Sequence, residues 1–161
     1  SSHLILPGVG SYKSTMNKLK KNADIVNLEN EVFIKGKIDR IDKFNDRVRI
    51  LDYKTGYMDH KYLIFKGNFE HFRGDYKLNN QFQLLLYLLA LKIEGQKAEN
   101  FQAGVISLKS PFKNFIPLKN KSSSKSRSDN LLDTYALDKF HEFLKSVIGE
   151  IFDKKKSFVS L

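Results

Sequence analysis

Two apolar-rich runs on either side of Asn45-Asp46 constrain the fold of this chain more than any other feature. Residues 32–42 and 47–54 are rich in β-branched and apolar residues with polar residues between them, the pattern of paired half-buried strands. Asn and Asp tolerate positive φ, so Asn45-Asp46 suits a two-residue hairpin turn. Such a turn sets Phe44 against Arg47 and makes the residue numbers of every opposed pair sum to 91. Asp39 then falls opposite Asp52. Two further matches test this register, since Asp42 meets Arg49 and Ile41 meets Ile50. A one-residue slip would lose both and send the two acids to different faces.

Directly opposed residues hold their Cβ atoms about 4.5–5.5 Å apart. Two carboxylates that close repel each other unless a cation lies between them. Hard divalent cations prefer carboxylate oxygens, and Mg²⁺ keeps several waters beside one or two such ligands. The register therefore describes a site for Mg²⁺ or Mn²⁺. Lys54 lies two residues beyond Asp52 and projects from the same face. Its ammonium can orient an attacking water or steady the charge that develops on a phosphate. A metal, two acids and a lysine suffice for phosphodiester hydrolysis without a covalent intermediate. Charged residues on a hairpin are more often a solvated face, and spacing alone leaves both alternatives open.

Beyond the hairpin, residues 55–79 carry Gly56, Gly67 and Gly74 among scattered aromatics and read as a long excursion containing a short helix. Long loops of this kind in compact domains are often functional. A helix is expected over 80–94, capped by Asn79 or Asn80 and ended by Gly95. Its apolar stripe is Phe82, Leu85, Leu86, Leu89 and Ile93. Residues 101–109 read as a strand, and 115–118 as another after Pro111. Asp133 is placed to cap a helix over 134–152, whose buried face would be Leu137, Phe140, Leu144, Val147, Ile148 and Ile151. The basic stretch 119–128 (KNKSSSKSRS) is low in complexity and is expected to be a mobile, solvated loop rather than a phosphate grip. In residues 1–28 a turn is expected at Pro7-Gly8-Val9-Gly10, and the polar stretch from Lys13 to Lys21 reads as a short helix or a loop. A single domain over 1–161 with its core in 29–152 is expected.

Composition narrows the chemistry. The 161 residues are 41% hydrophobic and 29% charged, which is globular usage. The absence of cysteine excludes disulfides, thiolate zinc sites and an iron–sulfur cluster within this chain. The longest apolar run, 84–91, is too short to span a bilayer. The first thirty residues carry no signal-peptide pattern, so a cytoplasmic location is expected. Lys and Arg outnumber Asp and Glu by 28 to 18, a net charge of +10 that favours polyanionic partners such as DNA.

The residues singled out above also carry a resemblance. Gly36-Lys37-Ile38-Asp39-Arg40-Ile41-Asp42, then Ile50-Leu51-Asp52-Tyr53-Lys54-Thr55-Gly56, then Gln83-Leu84-Leu85-Leu86-Tyr87 resemble the successive signatures of RecB-family nucleases. These belong to the PD-(D/E)XK, restriction-endonuclease-like superfamily. The resemblance covers roughly residues 31–93 and rests on three ordered motifs. It implies an α/β (α+β) fold, a mixed central β-sheet flanked by helices. It also implies metal ligation by Asp39, Asp52 and the Tyr53 backbone carbonyl, a catalytic Lys54, and a Gln83–Tyr87 pair near the active site. DNA would be the substrate, with a helicase domain or subunit as partner, in recombination and repair. The family's upstream helix, which bears a histidine or acidic ligand, has no counterpart that can be placed here. Glu31 is a weak stand-in, and Glu29, His60, His71 and His141 have no supporting motif. The chain has no Walker motif, and residues 140–159 resemble the C-terminal tails of AddB-like helicase–nuclease proteins. With the upstream helix unplaced, the chain is expected to be the C-terminal piece of a longer protein or to lack part of the site. The alternative is a module that keeps the nuclease fold but only binds DNA or a subunit.

Overall fold

A computed structural model describes residues 38–44, 47–93, 95–97, 100–109, 115–121 and 132–153. The Asn45-Asp46 turn, Glu29, Glu31, residues 32–37 and residues 122–128 lie outside them. The hairpin consists of β1 (Arg40–Phe44) and β2 (Arg47–Lys54). Its ladder runs from Phe44–Arg47 to Arg40–Leu51, and every pair has the expected sum. Arg49 clasps Asp42 through two hydrogen bonds of 2.7 and 2.8 Å. The same guanidinium lies 4.6 Å from the Phe44 ring centroid and 5.1 Å from that of Phe115. Register and side-chain pairing thus reinforce each other, as cross-strand pairs do.

Strand β2 also pairs in parallel with β4 (Phe101–Ser107), and β4 pairs antiparallel with β5 (Ile116–Pro117). The sheet order is β1-β2-β4-β5. Being central, β2 buries the consecutive residues Ile50, Leu51 and Asp52 instead of alternating. Parallel neighbours need a long crossover. Here it comprises three 3-10 turns (His60–Leu63, Glu70–Arg73, Tyr76–Leu78), the short strand β3 (Ile64–Phe65) and helix α1 (Asn79–Ile93). Strand β6 (Lys119–Asn120) pairs in parallel with β3 in a second, two-stranded sheet. The stretch expected to be a loop from residue 119 therefore opens with a strand. A second helix, α2 (Thr134–Phe152), completes the α/β architecture that the sequence leads one to expect.

The ends of α1 differ in part from expectation. Asn79 has helical backbone angles, and the capping carboxylate is Asp75, which accepts the Lys77 N–H one short turn earlier. Gly95, at φ 82°, closes the helix as expected. Its N–H reaches the Lys92 carbonyl at 2.9 Å, and the Gln96 N–H reaches that of Leu91 at 3.0 Å. These are the two bonds of a left-handed glycine ending. The expected single stripe on α1 is incomplete. Leu84, Leu88 and Leu91 are buried alongside Leu85 and Leu89, whereas Phe82, Leu86 and Ile93 are half-buried. The cause is that α1 packs on both β4 and α2, so more than one side is covered.

Helix α2 begins as expected, with Asp133 accepting the Ala136 N–H at 2.8 Å. Leu137, Phe140, Leu144 and Ile148 are buried and Val147 is half-buried, but Ile151 is 49% exposed because it lies in the last turn, beyond the cover of the core. Phe140 is fully buried, with ring centroids of Phe82 at 5.4 Å and Phe69 at 5.6 Å. This aromatic cluster binds the excursion to both helices. Arg73 adds a surface tie, with two 2.8 Å hydrogen bonds to Glu150.

One glycine is required by close approach. A Cβ on Gly104 in β4 would stand 2.5 Å from the Ile116 carbonyl oxygen and 2.7 Å from the Phe115 ring. Gly104→Ala is expected to lower stability by about 1–3 kcal/mol through overpacking, read as an earlier denaturant midpoint. An unchanged midpoint would mean that β5 yields freely.

Candidate active site

Period-two geometry puts Ile50, Asp52 and Lys54 on one face of β2, in register with Ala103, Val105 and Ser107 of β4. Asp52 is only 3% exposed. Lys54 Nζ lies 2.8 Å from Asp52 Oδ2 and donates a 3.1 Å hydrogen bond to Gln83 Oε1 on α1. Gln83 Nε2 in turn donates to Tyr87 Oη at 2.6 Å. Gln83 and Tyr87 share a helix face at i and i+4. Four of the residues singled out from sequence, Asp52, Lys54, Gln83 and Tyr87, thus form one continuous line of contacts. A polar pair inside a leucine-rich helix is accounted for, because buried polar groups are held where they find partners.

Asp39 stands in a bend one residue beyond the β1–β2 ladder, next in line to Asp52. It is exposed, and its Oδ2 accepts the Tyr53 N–H at 3.0 Å. The acid that precedes β1 is therefore tied to the backbone between Asp52 and Lys54. The histidines among the described residues are not gathered there. His60 lies beside Asp59 at 3.6 Å, and His71 beside Asn68 at 3.1 Å. His141 sits half-buried on α2, where burial, then the Lys145 charge, pushes its pKa down.

Two supporting residues carry no motif in the sequence. Ser107, buried at the end of β4, donates its hydroxyl to the Gly56 carbonyl at 2.8 Å. The following Leu108 N–H reaches the Lys54 carbonyl at 2.9 Å. Together they clamp the turn that follows Lys54. Gln81, also buried, donates to the Tyr62 carbonyl at 3.0 Å and fastens the His60–Leu63 turn to α1. A lone hydroxyl in an apolar strand, or a second glutamine in an apolar helix, is the signal that could have found them.

Whether these residues suit a divalent ion is tested by Asp52. Its Oδ2 is buried and has no aligned hydrogen-bond donor. The Lys54 ammonium, close as it is, supplies charge without hydrogen-bond direction. The ammonium thus offsets the charge of that oxygen but leaves it unsatisfied as an acceptor, a state that a further cation would relieve. The hard oxygens of Asp52 and Asp39 match Mg²⁺ or Mn²⁺ in type, so the residues fit such an ion. Asp39, Asp52 and the Tyr53 carbonyl are the groups that would hold it. Among the described residues, no three acidic or histidine side chains cluster as a ready-made metal cage. A bound divalent ion would supply Lewis acidity toward a phosphate oxygen. The chain's own contribution is an ammonium held by Gln83, which Tyr87 orients.

A β-hairpin with two acids and a lysine on a mixed sheet, backed by a glutamine–tyrosine helix, defines a class that a family comparison now identifies. The model of the PD-(D/E)XK nuclease superfamily matches residues 8–158, and the chain belongs to that superfamily. Among curated proteins it is similar to an ATP-dependent helicase/deoxyribonuclease subunit of Streptococcus pneumoniae. The two are 30% identical over 155 residues, which is 94% of this chain and 13% of that protein. It is also similar to the exonuclease/helicase subunit RexB of Streptococcus pneumoniae serotype 4, at 29% identity with the same coverage. The chain spans about 13% of the length of these relatives. No solved structure gives a significant match.

Proposed function

We propose that this chain is a metal-dependent deoxyribonuclease module, using Mg²⁺ or Mn²⁺ at Asp39, Asp52 and the Tyr53 carbonyl, with Lys54 as the catalytic ammonium. The observation that carries this is the buried Asp52 oxygen without an aligned donor, set beside Lys54. Family membership and the helicase/deoxyribonuclease names of the relatives support it. The exonuclease/helicase name of one relative supports an exonuclease attached to a helicase domain or subunit, and we place that activity in DNA recombination and repair in the cytoplasm. Among the described residues, no helix is long and apolar enough to cross a membrane.

A linear DNA substrate, incubated with the chain in Mg²⁺, in Mn²⁺ and in EDTA, tests the proposal. Shortening of labelled ends with either ion and none in EDTA is the expected result. The net charge of +10 favours one competitor, a DNA-binding or subunit-interaction module that retains the fold. DNA binding without hydrolysis across the metal series would establish that competitor.

A further inference from the structure

The parallel ribbon of β3 and β6 is unexplained by the candidate active site. Its register pairs Ile64 with Lys119 and Phe65 with Asn120. The ladder continues one step, since the Lys121 N–H reaches the Phe65 carbonyl at 2.8 Å. Lys66 therefore stands beside Lys121. Period-two geometry puts Lys66, Lys119 and Lys121 on one face of the ribbon, while Phe65 and Asn120 are buried on the other. All three lysines are exposed.

Like charges side by side in a ladder oppose pairing. Elsewhere the fold answers such charge with carboxylates: Lys61 has Asp59 at 2.9 Å, and Lys145 has Glu142 at 3.0 Å. Among the described residues, Lys66, Lys119 and Lys121 have no acid within ion-pair reach. The ribbon is joined to the helix that carries Gln83, though on another face of that helix. Strand β3 follows the His60–Leu63 turn directly, and Gln81 on α1 holds that turn two residues from Gln83. Lys61 and Lys77 both lie over the ring of Tyr62 in that turn, at 5.0 and 5.9 Å. Lys77 belongs to the turn that leads directly into α1, the helix that carries Gln83.

We propose that Lys66, Lys119 and Lys121 form a phosphate-binding rail that holds the backbone of a DNA strand, without reading its sequence, while the strand occupies the Asp52–Lys54 site. This rests on the nuclease proposal above, but it can be tested without cleavage. Binding of labelled oligothymidylate would be followed by fluorescence anisotropy in EDTA across a salt series. Each phosphate contact on single strands contributes about 0.7 to the slope of log K against log salt. Lys66→Gln/Lys119→Gln/Lys121→Gln is expected to reduce the slope by about 2 units and to weaken binding at low salt. Replacing the same three with arginine should restore the wild-type slope. Lys139→Gln, on α2, should leave it unchanged. A triple glutamine variant with wild-type slope and affinity would overturn the rail. Cleavage in Mg²⁺ separates the two ideas. A lysine-dependent slope with no cleavage in any metal sinks the nuclease proposal alone, and cleavage with an unmoved slope sinks the rail alone.

Discussion

Asp52→Asn is expected to abolish DNA cleavage while leaving the fold intact or slightly more stable. Asparagine keeps the shape of the side chain but removes the charge. Asp52 is almost fully buried, and its Oδ2 lacks an aligned donor. Burying that carboxylate is costly, and among the described residues the neighbouring ammonium relieves it, as a divalent ion would. Removing the charge removes the desolvation cost along with the cation's main anchor. A bound metal supplies several kcal/mol of charge stabilisation, and each 1.36 kcal/mol is about tenfold in rate, so a loss on the order of a thousandfold follows. Residual cleavage should not recover at high Mn²⁺. Opposite shifts in two assays on one variant, thermal midpoint level or up and cleavage down, mark a residue kept for chemistry at the expense of stability. A variant that still cleaves at near wild-type rate would remove Asp52 from the site altogether.

What can be read from the sequence, and what cannot, divides along a physical line. The hairpin register is legible because the side-chain period of a strand is two and a short turn leaves little freedom, so the Asp42–Arg49 and Ile41–Ile50 matches fix it. Asp133 as a cap and Gly95 as a stop are legible because each acts on the backbone within a few residues. The buried sides of α1 are not legible. A helix with leucine at 84, 85, 86, 88, 89 and 91 has no unique apolar stripe, and what covers it is decided by β4 and α2. The residues of the excursion form 3-10 turns and a two-residue strand whose existence depends on distant partners, such as Asn120 for Phe65 and Phe140 for Phe69. The candidate site follows the same rule. Asp39, Asp52 and Lys54 follow from local geometry, whereas Gln83 and Tyr87 come from the family resemblance, with helical spacing adding only that they share a face. Ser107 and Gln81 follow from neither, because their partners are backbone carbonyls far along the chain.

Lys54→Ala is expected to lower cleavage by at least about a hundredfold, the scale of losing one charge-stabilising donor, and also to make stability depend on metal. Lys54 is the only group within ion-pair distance of Asp52 among the described residues. Its removal leaves a buried carboxylate without a counter-charge, at a cost of about 1–3 kcal/mol. Because the ammonium and a divalent ion compete for Oδ2, the variant should gain more stability from added Mn²⁺ than the wild type does. A ligand at about a hundred times its Kd contributes about 2.7 kcal/mol to a state that it alone binds. Activity should not return with the metal, since the ion replaces the charge on Asp52 but not the donor that Gln83 holds toward the substrate. Adding Asp52→Asn to Lys54→Ala should restore thermal stability and cancel the metal response, because neither charge is then left alone. These three measurements separate a catalytic lysine from a structural one. If Lys54 served only to neutralise Asp52, metal would rescue cleavage together with stability, and the catalytic assignment of Lys54 would be wrong.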